Sequence, residues 1–581
     1  MDVICSRPMF VILAFVVGGG PAFAARTRPQ PRPQAGPPAA AEFRGMWVTR
    51  FEWPSSDQAQ CRAKIDKILS TLARNHFNAA IFQVRGQADT FYPSPEEPWS
   101  PMISPSGTEP GWDPLGYAVE VAHRQGLEFH AYINTHTIWQ HDRKEVPGVP
   151  SHLFYRRGDA ATPGCHDWLI HDDQGRPVQW GGDNYVWLAP GVPAAQAYVR
   201  RQVMYVVQQY DIDGVHFDRI RTAGAEFSHD PISVSRQSLG SEGNPGNLDF
   251  GDWTRDQITR LLGDLYAQIG ETKPRLMVSA TPVGLYRQDR YPNYPDDFHY
   301  GYSKCYQDAQ AWMVAGAVDL IVPQIYWNDG GKPPDFSQVL PDWIAHSGGR
   351  HVCAGLVSSM TDKEIIHQVQ ETRKRGGTGE VFFSYGSFNR KGYFRLFSRP
   401  GGLYAKQAAT PSLPWKEWPT DGIVVGTLLD AASAEPVVDA WVVRTGSEHV
   451  ALSSGDGLYS FLKVPPGTYA LTIRKRGYAE RLIDNVVVNA GQVVRVNAAM
   501  LRQPATQPAE MDERAAESQP AGPPQPSDIL AADHSDASPP PRTPRGKGMG
   551  LFTWLGILLL AGSLSATLVL FLLRRTGRPE V

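Results

Sequence analysis

Short apolar runs alternate with longer amphipathic ones from residue 42 to residue 411. The runs at 43–50, 78–85, 128–134, 213–221, 275–282, 319–327, 351–358 and 380–388 have the length and the β-branched and aromatic content of buried strands. Between them, 59–75, 114–125, 193–209, 252–270, 303–315, 336–346 and 361–375 carry apolar residues at helical spacing. Eight strands alternating with helices predict an α/β fold, a (β/α)8 TIM-type barrel with long loops. An open doubly wound sheet would alternate in the same way, but no glycine-rich dinucleotide or phosphate loop follows any strand. The longest insertion, 136–193, follows the third strand, where it would wall a groove.

The texture changes at 422–501. Runs at 424–428, 440–444, 459–462, 467–475 and 486–488 alternate with a period of two and are separated by turn residues, which predicts a small all-β sandwich. Residues 25–41 and 502–548 are rich in Pro and Ala, and read as a disordered leader and a disordered tether.

The two ends address the chain. Residues 1–24 carry Arg7, an apolar stretch from Phe10 to Val17 and a small-residue finish at Ala22-Phe23-Ala24, the pattern of a secretory signal cut after Ala24. Residues 551–573 contain no charge and are long enough for one transmembrane helix, and Arg574, Arg575 and Arg578 follow in the 574–581 tail. The expectation is an exported body held to a membrane by one C-terminal span, with the tail in the cytoplasm. Removal of the signal, with Cys5, would leave Cys61, Cys165, Cys305 and Cys353, too few and too scattered for a disulfide framework or a zinc site. Lysine and arginine total 56 against 59 aspartate and glutamate, so no nucleic-acid partner is indicated. Oligomeric state is not legible.

In such a barrel the site forms where strand C-terminal ends converge. Alternate strand residues face opposite sides. In 213–221, Val215 and Phe217 therefore share one face, and His216 and Asp218 the other. Four strand ends are polar in this way: Gln83 and Arg85 with Asp89 beyond; His130, Tyr132 and Asn134; His216 and Asp218; Gln324 and Tyr326 with Trp327. Singly, each has an ordinary structural reading as a satisfied amide, a packed histidine or a core tyrosine. Together they would line a mouth with donors, acceptors and aromatic faces, which suits a polyhydroxylated ligand. No metal-ligand run such as H-E-x-x-H is present and no cofactor is expected.

Several segments resemble the glycosyl hydrolase-like 10 family. They are Glu42-Phe-Arg-Gly-Met-Trp-Val48, Ile81-Phe-Gln-Val-Arg85 with Asp89-Thr-Phe-Tyr-Pro-Ser94, Glu97-Pro-Trp-Ser100, Gly111-Trp-Asp-Pro-Leu115, Asp213-Gly-Val-His-Phe-Asp218 and Val322-Pro-Gln-Ile-Tyr-Trp327. The likeness spans roughly 42–400. It implies a glycoside-hydrolase-like barrel of bacterial envelopes, in a family with members that resemble glycosidases of peptidoglycan strands stripped of their peptides. The segment from Gly455 to Ile473 resembles the carboxypeptidase regulatory-like module, which implies a spacer or binding domain. Two departures touch the sugar subsite: Arg219-Ile-Arg221 follows Asp218, and the fifth-strand segment reads Ala280-Thr-Pro-Val-Gly-Leu-Tyr-Arg287.

Glycoside cleavage generally uses two carboxyl groups, whose separation sets the stereochemical outcome. Asp218 is the expected nucleophile or base, with Arg219 and Arg221 holding it ionised or engaging substrate. Asp89 is the expected second carboxyl, and Glu52 and Asp329 are alternatives. Arg85, Tyr132, Asn134, His216, Gln324, Tyr326 and Trp327 are expected to bind the glycan. Two other classes compete: a non-catalytic glycan receptor, which needs no second carboxyl, and a surface protein that works through its sandwich and tether.

Overall fold

A computed structural model describes residues 41–140, 148, 150–157, 165–176 and 185–503. The signal peptide, nearly all of the leader and tether, and the span expected at 551–573 lie outside these residues. Among the described residues no helix is long and apolar enough to cross a membrane.

Eight parallel strands close into a barrel: β1 Phe43–Val48, β2 Ala79–Arg85, β3 Glu128–Asn134, β4 Gly214–Asp218, β5 Met277–Ala280, β6 Leu320–Ile321, β7 His351–Val357 and β8 Gly379–Phe383. Each pairs with the next, and β8 returns to β1 through Phe43↔Gly379 to Trp47↔Phe383. A helix follows each strand: α1 Gln58–Arg74, α2 Pro114–Arg124, α3 Pro193–Gln209, α4 Phe250–Thr272, α5 Ala309–Ala315, α6 Phe336–Ala345, α7 Asp362–Lys374 and α8 Tyr385–Arg390. Their starts are set locally. Asp57 caps α1 by accepting from Gln60 N, Asp249 caps α4 and Thr361 caps α7, each satisfying a backbone donor the helix leaves open. The buried stripe of α1, Cys61, Ile65, Ile68, Leu69 and Leu72, faces the strands.

Strand alternation divides the core in two. Met46, Val48, Ala80, Phe82 and Val215 point outward under the helices. Phe43, Trp47, Ile81, Tyr132, Met277, Val322 and Val381 fill the barrel interior, joined from below by Leu413. Below the barrel, Trp415 Nε1 donates to Asp319 Oδ1 at 2.7 Å and Lys416 pairs with Asp319 Oδ2 at 2.6 Å. The segment leaving the barrel thus stoppers its floor. Gly214 opens β4 because the His130 ring lies across it; a Cβ there would overlap that ring. Cys61, Cys305 and Cys353 are buried free thiols.

The C-terminal domain is a sandwich of two four-stranded sheets. Its own core includes Val424, Leu428, Val442, Tyr459, Phe461 and Ile473. It sits against α3 and α4 rather than on a free linker. Val425 and Leu458 pack with Ala267 of α4. Arg236 makes a bidentate pair with Asp439, its Nη2 2.5 Å from Oδ1, and Arg200 is held between Asp264, Ser454 and Asp456. Arg495 pairs with Glu271 at the C-terminal end of α4.

Candidate functional site

Asp218 ends β4, half-buried at the C-terminal mouth of the barrel. Its carboxylate is aimed by two donors: Tyr132 Oη to Oδ2 at 2.7 Å and Arg219 N to Oδ1 at 2.7 Å. The neighbouring strand supplies the first, since Asn134 is in register with Asp218 and Tyr132 with His216. Burial and the adjacent Asp218 carboxylate push the Tyr132 and Tyr326 hydroxyls well above the ordinary tyrosine range, so both stay protonated and able to donate. Tyr326 stacks on Phe383 of β8 with ring centroids 6.1 Å apart. Gln324, Tyr326 and Trp327 are all half-buried in the loop after β6. The Trp327 ring passes close to Gly284, where a Cβ would collide with it.

A layer beneath Asp218 fixes this arrangement. His216 is fully buried; Trp47 Nε1 donates to its Nε2 at 3.0 Å, and its Nδ1 lies 2.9 Å from Ser279 Oγ. Ser279 Oγ in turn donates to Val215 O at 3.1 Å, so it accepts from His216 and the ring is the neutral Nδ1–H tautomer. Burial, reinforced by His130, pushes its pKa down to about 3. Both nitrogens face protein, so His216 supports the strand that carries Asp218 and offers no atom to a ligand.

Arg85 and Asn134 are likewise enclosed. Arg85 makes a bidentate, fully buried pair with Glu97, 2.7 Å from Nη2 to Oε1, and donates from Nη1 to Asn134 O. Tyr198 donates to the same Glu97. Asn134 bonds Gly86 O and accepts from Gln83, whose own Oε1 accepts from Arg50 N. These groups lock the ends of β2 and β3 together below the mouth, a correction to their expected contact with glycan.

The alternative carboxyls are also engaged. Glu52 accepts from Thr49 N, Ser384 Oγ and Gly386 N, latching the loop after β1 to the start of α8. Asp329 accepts from Ser337 N and meets His367 Nε2 at 2.6 Å. Burial would raise its pKa, but hydrogen bonds from Asp335, His367 and Ser337 outweigh that and hold it far below the usual range. Asp89 is different: it is fully buried, beside Tyr92 and His152, and neither oxygen has a hydrogen-bond partner among the described residues.

Arg219 and Arg221 do not bond Asp218 through their side chains in the way expected. Arg219 uses its backbone N–H, and its guanidinium rests 4.3 Å over the Tyr185 ring, while that of Arg221 lies 5.0 Å over Trp187. Tyr185 and Trp187 belong to a two-stranded antiparallel sheet, Tyr185–Trp187 paired with Thr137–Gln140, within the insertion after β3. Arg50, at the end of β1, donates to Tyr185 Oη at 2.8 Å. The insertion therefore stands against the ends of β1 and β4 as a wall. Among the described residues, no group of three or more His, Cys, Asp or Glu side chains is placed to hold a metal. Trp47, Ser279, Glu97 and Phe383 build the site without having been expected there; Trp47, Ser279 and Phe383 carry a signal in their inward alternation on β1, β5 and β8, and Glu97 stands in a segment that resembles the family.

Residues 42–371 match the glycosyl hydrolase-like 10 family, and 423–501 the carboxypeptidase regulatory-like domain. The chain is 27% identical over 402 residues to the glycosyl hydrolase YngK of Bacillus subtilis, covering 64% of this chain and 74% of that protein. It is 28% identical over 319 residues to the glycosyl hydrolase DigH of Escherichia coli K12, covering 51% of this chain and 69% of that protein. Among solved structures, the glycoside hydrolase domain of PgaB (BpsB) from Bordetella bronchiseptica aligns with a TM-score of 0.45 and 12% identity, covering 61% of this chain and 98% of that one.

Proposed function

We propose that this chain, a glycoside hydrolase that belongs to the glycosyl hydrolase-like 10 family, cleaves a glycan of the bacterial cell envelope, with peptide-free peptidoglycan strands as substrate. The observation that carries this reading is the Asp218 carboxylate, held by Tyr132 and Arg219 N at a mouth that also presents Gln324, Tyr326 and Trp327. An amide, a phenol and an indole match the hydroxyls, acetamido groups and flat C–H faces of such a strand.

In this reading Asp218 either attacks the anomeric carbon as nucleophile, to be displaced later by water, or as base takes a proton from the water that attacks that carbon. Asp89 supplies the acid that protonates the leaving oxygen. Enclosed as it is, Asp89 reaches the mouth only when the loop after β2 moves. Its lack of a hydrogen bond among the described residues supports such a second position, because an unpartnered buried carboxyl is destabilising where it stands. The signal at 1–24 and the apolar stretch at 551–573 support an exported body anchored by its C-terminal side.

The test uses the full chain purified in detergent, incubated with peptide-free peptidoglycan strands, with products weighed by mass spectrometry. Soluble glycan fragments are expected, and Asp218→Asn should lower their release by a factor on the order of 10²–10⁴. Unchanged release by Asp218→Asn would overturn the assignment. Binding without cleavage by the unaltered chain would point to the receptor class instead.

A further inference from the structure

The barrel has an open concavity at the end opposite Asp218. It is a groove of about 1040 Å³ under the N-terminal ends of β3, β4 and β5, bounded on its other side by the segment that stoppers the floor. That is at the upper end of small-ligand sites, room for a short oligosaccharide rather than a single small group.

The lining divides into groups already engaged and groups left over. Asp213 accepts from Phe129 N and meets His123 Nε2, both at 2.8 Å, and Glu128 lies 3.1 Å from His130 Nε2. Lys416 is tied to Asp319, and Lys273 donates to Tyr210 O. Four exposed charged or aromatic side chains remain, with no hydrogen bond to any described residue: Asp211, Arg275, Glu417 and Trp418. Trp418 is 69% exposed, the largest fraction for any described tryptophan among the exposed apolar residues. At the rim of a groove an exposed indole offers a flat face on which a ligand can stack.

The chemistry of these four narrows the occupant. Two carboxylates and one guanidinium give almost no net field, which disfavours a polyanion or a polycation. Carboxylate and guanidinium forks each bridge pairs of adjacent hydroxyls, and an exposed indole stacks on a sugar's C–H face. We propose that this groove is a second saccharide-binding site, separate from the catalytic mouth, which takes a short run of hydroxylated sugars across the Trp418 ring. Asp213 precedes β4 and Asp218 ends it, so the two sites are separated by the length of the strand, roughly 16 Å for five residues. The packed interior forbids a chain threading between them. A polymer must reach both sites around the outside, or one strand must be held at the groove while another is cut. The groove then raises the residence of the protein on polymeric glycan without taking part in the reaction.

The site rests on its own lining and not on the substrate assigned above, so the test is made on binding. The full chain in detergent, carrying Asp218→Asn so that nothing is consumed, is titrated with chitooligosaccharides and sedimented with insoluble glycan strands. Trp418→Ala should weaken binding to the insoluble polymer about tenfold, and Glu417→Gln and Arg275→Ala should weaken it in part. In a catalytically intact background, Trp418→Ala should leave turnover of a soluble tetrasaccharide unchanged. Equal polymer affinity with and without the indole overturns the proposal, including the case in which residues 25–40 of the chain itself occupy the groove. Loss of tetrasaccharide turnover together with polymer binding also overturns it, since the groove would then act through the catalytic mouth. Absence of peptidoglycan cleavage, by contrast, bears on the catalytic assignment and not on this site.

Discussion

Replacing His216 by Gln should make the barrel less sensitive to acid. The imidazole is buried and neutral between Trp47 and Ser279, and its pKa of about 3 lies below the ordinary 6.5. A base with a depressed folded pKa contributes stability above its unfolded value and loses it as pH falls. At pH 5 the unfolded imidazole is about 97% protonated while the folded one is about 1% protonated. The linkage relation converts that imbalance to about 2 kcal/mol lost between pH 8 and pH 5. Gln does not titrate, and its amide can accept from Trp47 and donate to Ser279. The variant should be less stable than the parent at pH 8 but lose about 2 kcal/mol less on acidification. The assay is denaturant unfolding of the full chain followed by tryptophan fluorescence at both pH values. His136, pushed down by burial to about 4, and every carboxyl are common to both proteins and cancel in the difference. If parent and variant lose the same stability between pH 8 and 5, His216 is not held neutral and the reasoning fails.

Three further outcomes follow from contacts described above. Tyr132→Phe removes a hydrogen bond to a charged group, worth roughly 1.5–3 kcal/mol of stability, and should lower both the thermal midpoint and, about 10- to 100-fold, kcat/KM on the glycan. Gly214→Ala forces a methyl against the His130 ring and should cost about 1–3 kcal/mol of stability by overpacking, read as a lowered thermal midpoint. Arg236→Ala leaves Asp439 unpaired at the barrel–sandwich contact and should cost about 3 kcal/mol; the double variant with Asp439→Ala should recover part of the loss, measured by the same unfolding assay.

The barrel was legible because each strand is an apolar run between helices whose caps and stripes are local. β3 was expected at 128–134 and is found at Glu128–Asn134. β6 was expected at 319–327 but runs only Leu320–Ile321, because Pro323 has no N–H for the ladder and Gln324 then makes single bridges to Val283 and Gly355. The last expected strand, 380–388, stops at Phe383, where α8 takes over. At the site, simple alternation placed Tyr132 and Asp218 on one face, and the register agrees. It failed for Arg85 because the pairing of β2 with β3 slips between Gln83 and Arg85. Its partner Glu97 lies in a loop, where no periodicity announces it. The docking of the sandwich was invisible for a related reason: Arg236 and Asp439 are about two hundred residues apart, and nothing in a local pattern couples them.

The way the last strands of the sandwich pair has a mechanical meaning. Strand Gly422–Asp430 leads in from the barrel, and two short strands near the end of the domain, Val493–Arg495 and Ala498–Met500, lie parallel to it. A pull on the C-terminal side, resisted by the barrel at the other end, would draw these strands past one another along their length. Their hydrogen bonds would share the load and fail together instead of unzipping one at a time. Arg502, bonded to Asp430, adds a side-chain rivet to the same seam. The sandwich is thus strung as a shear clamp, a geometry that resists tension applied between its two ends.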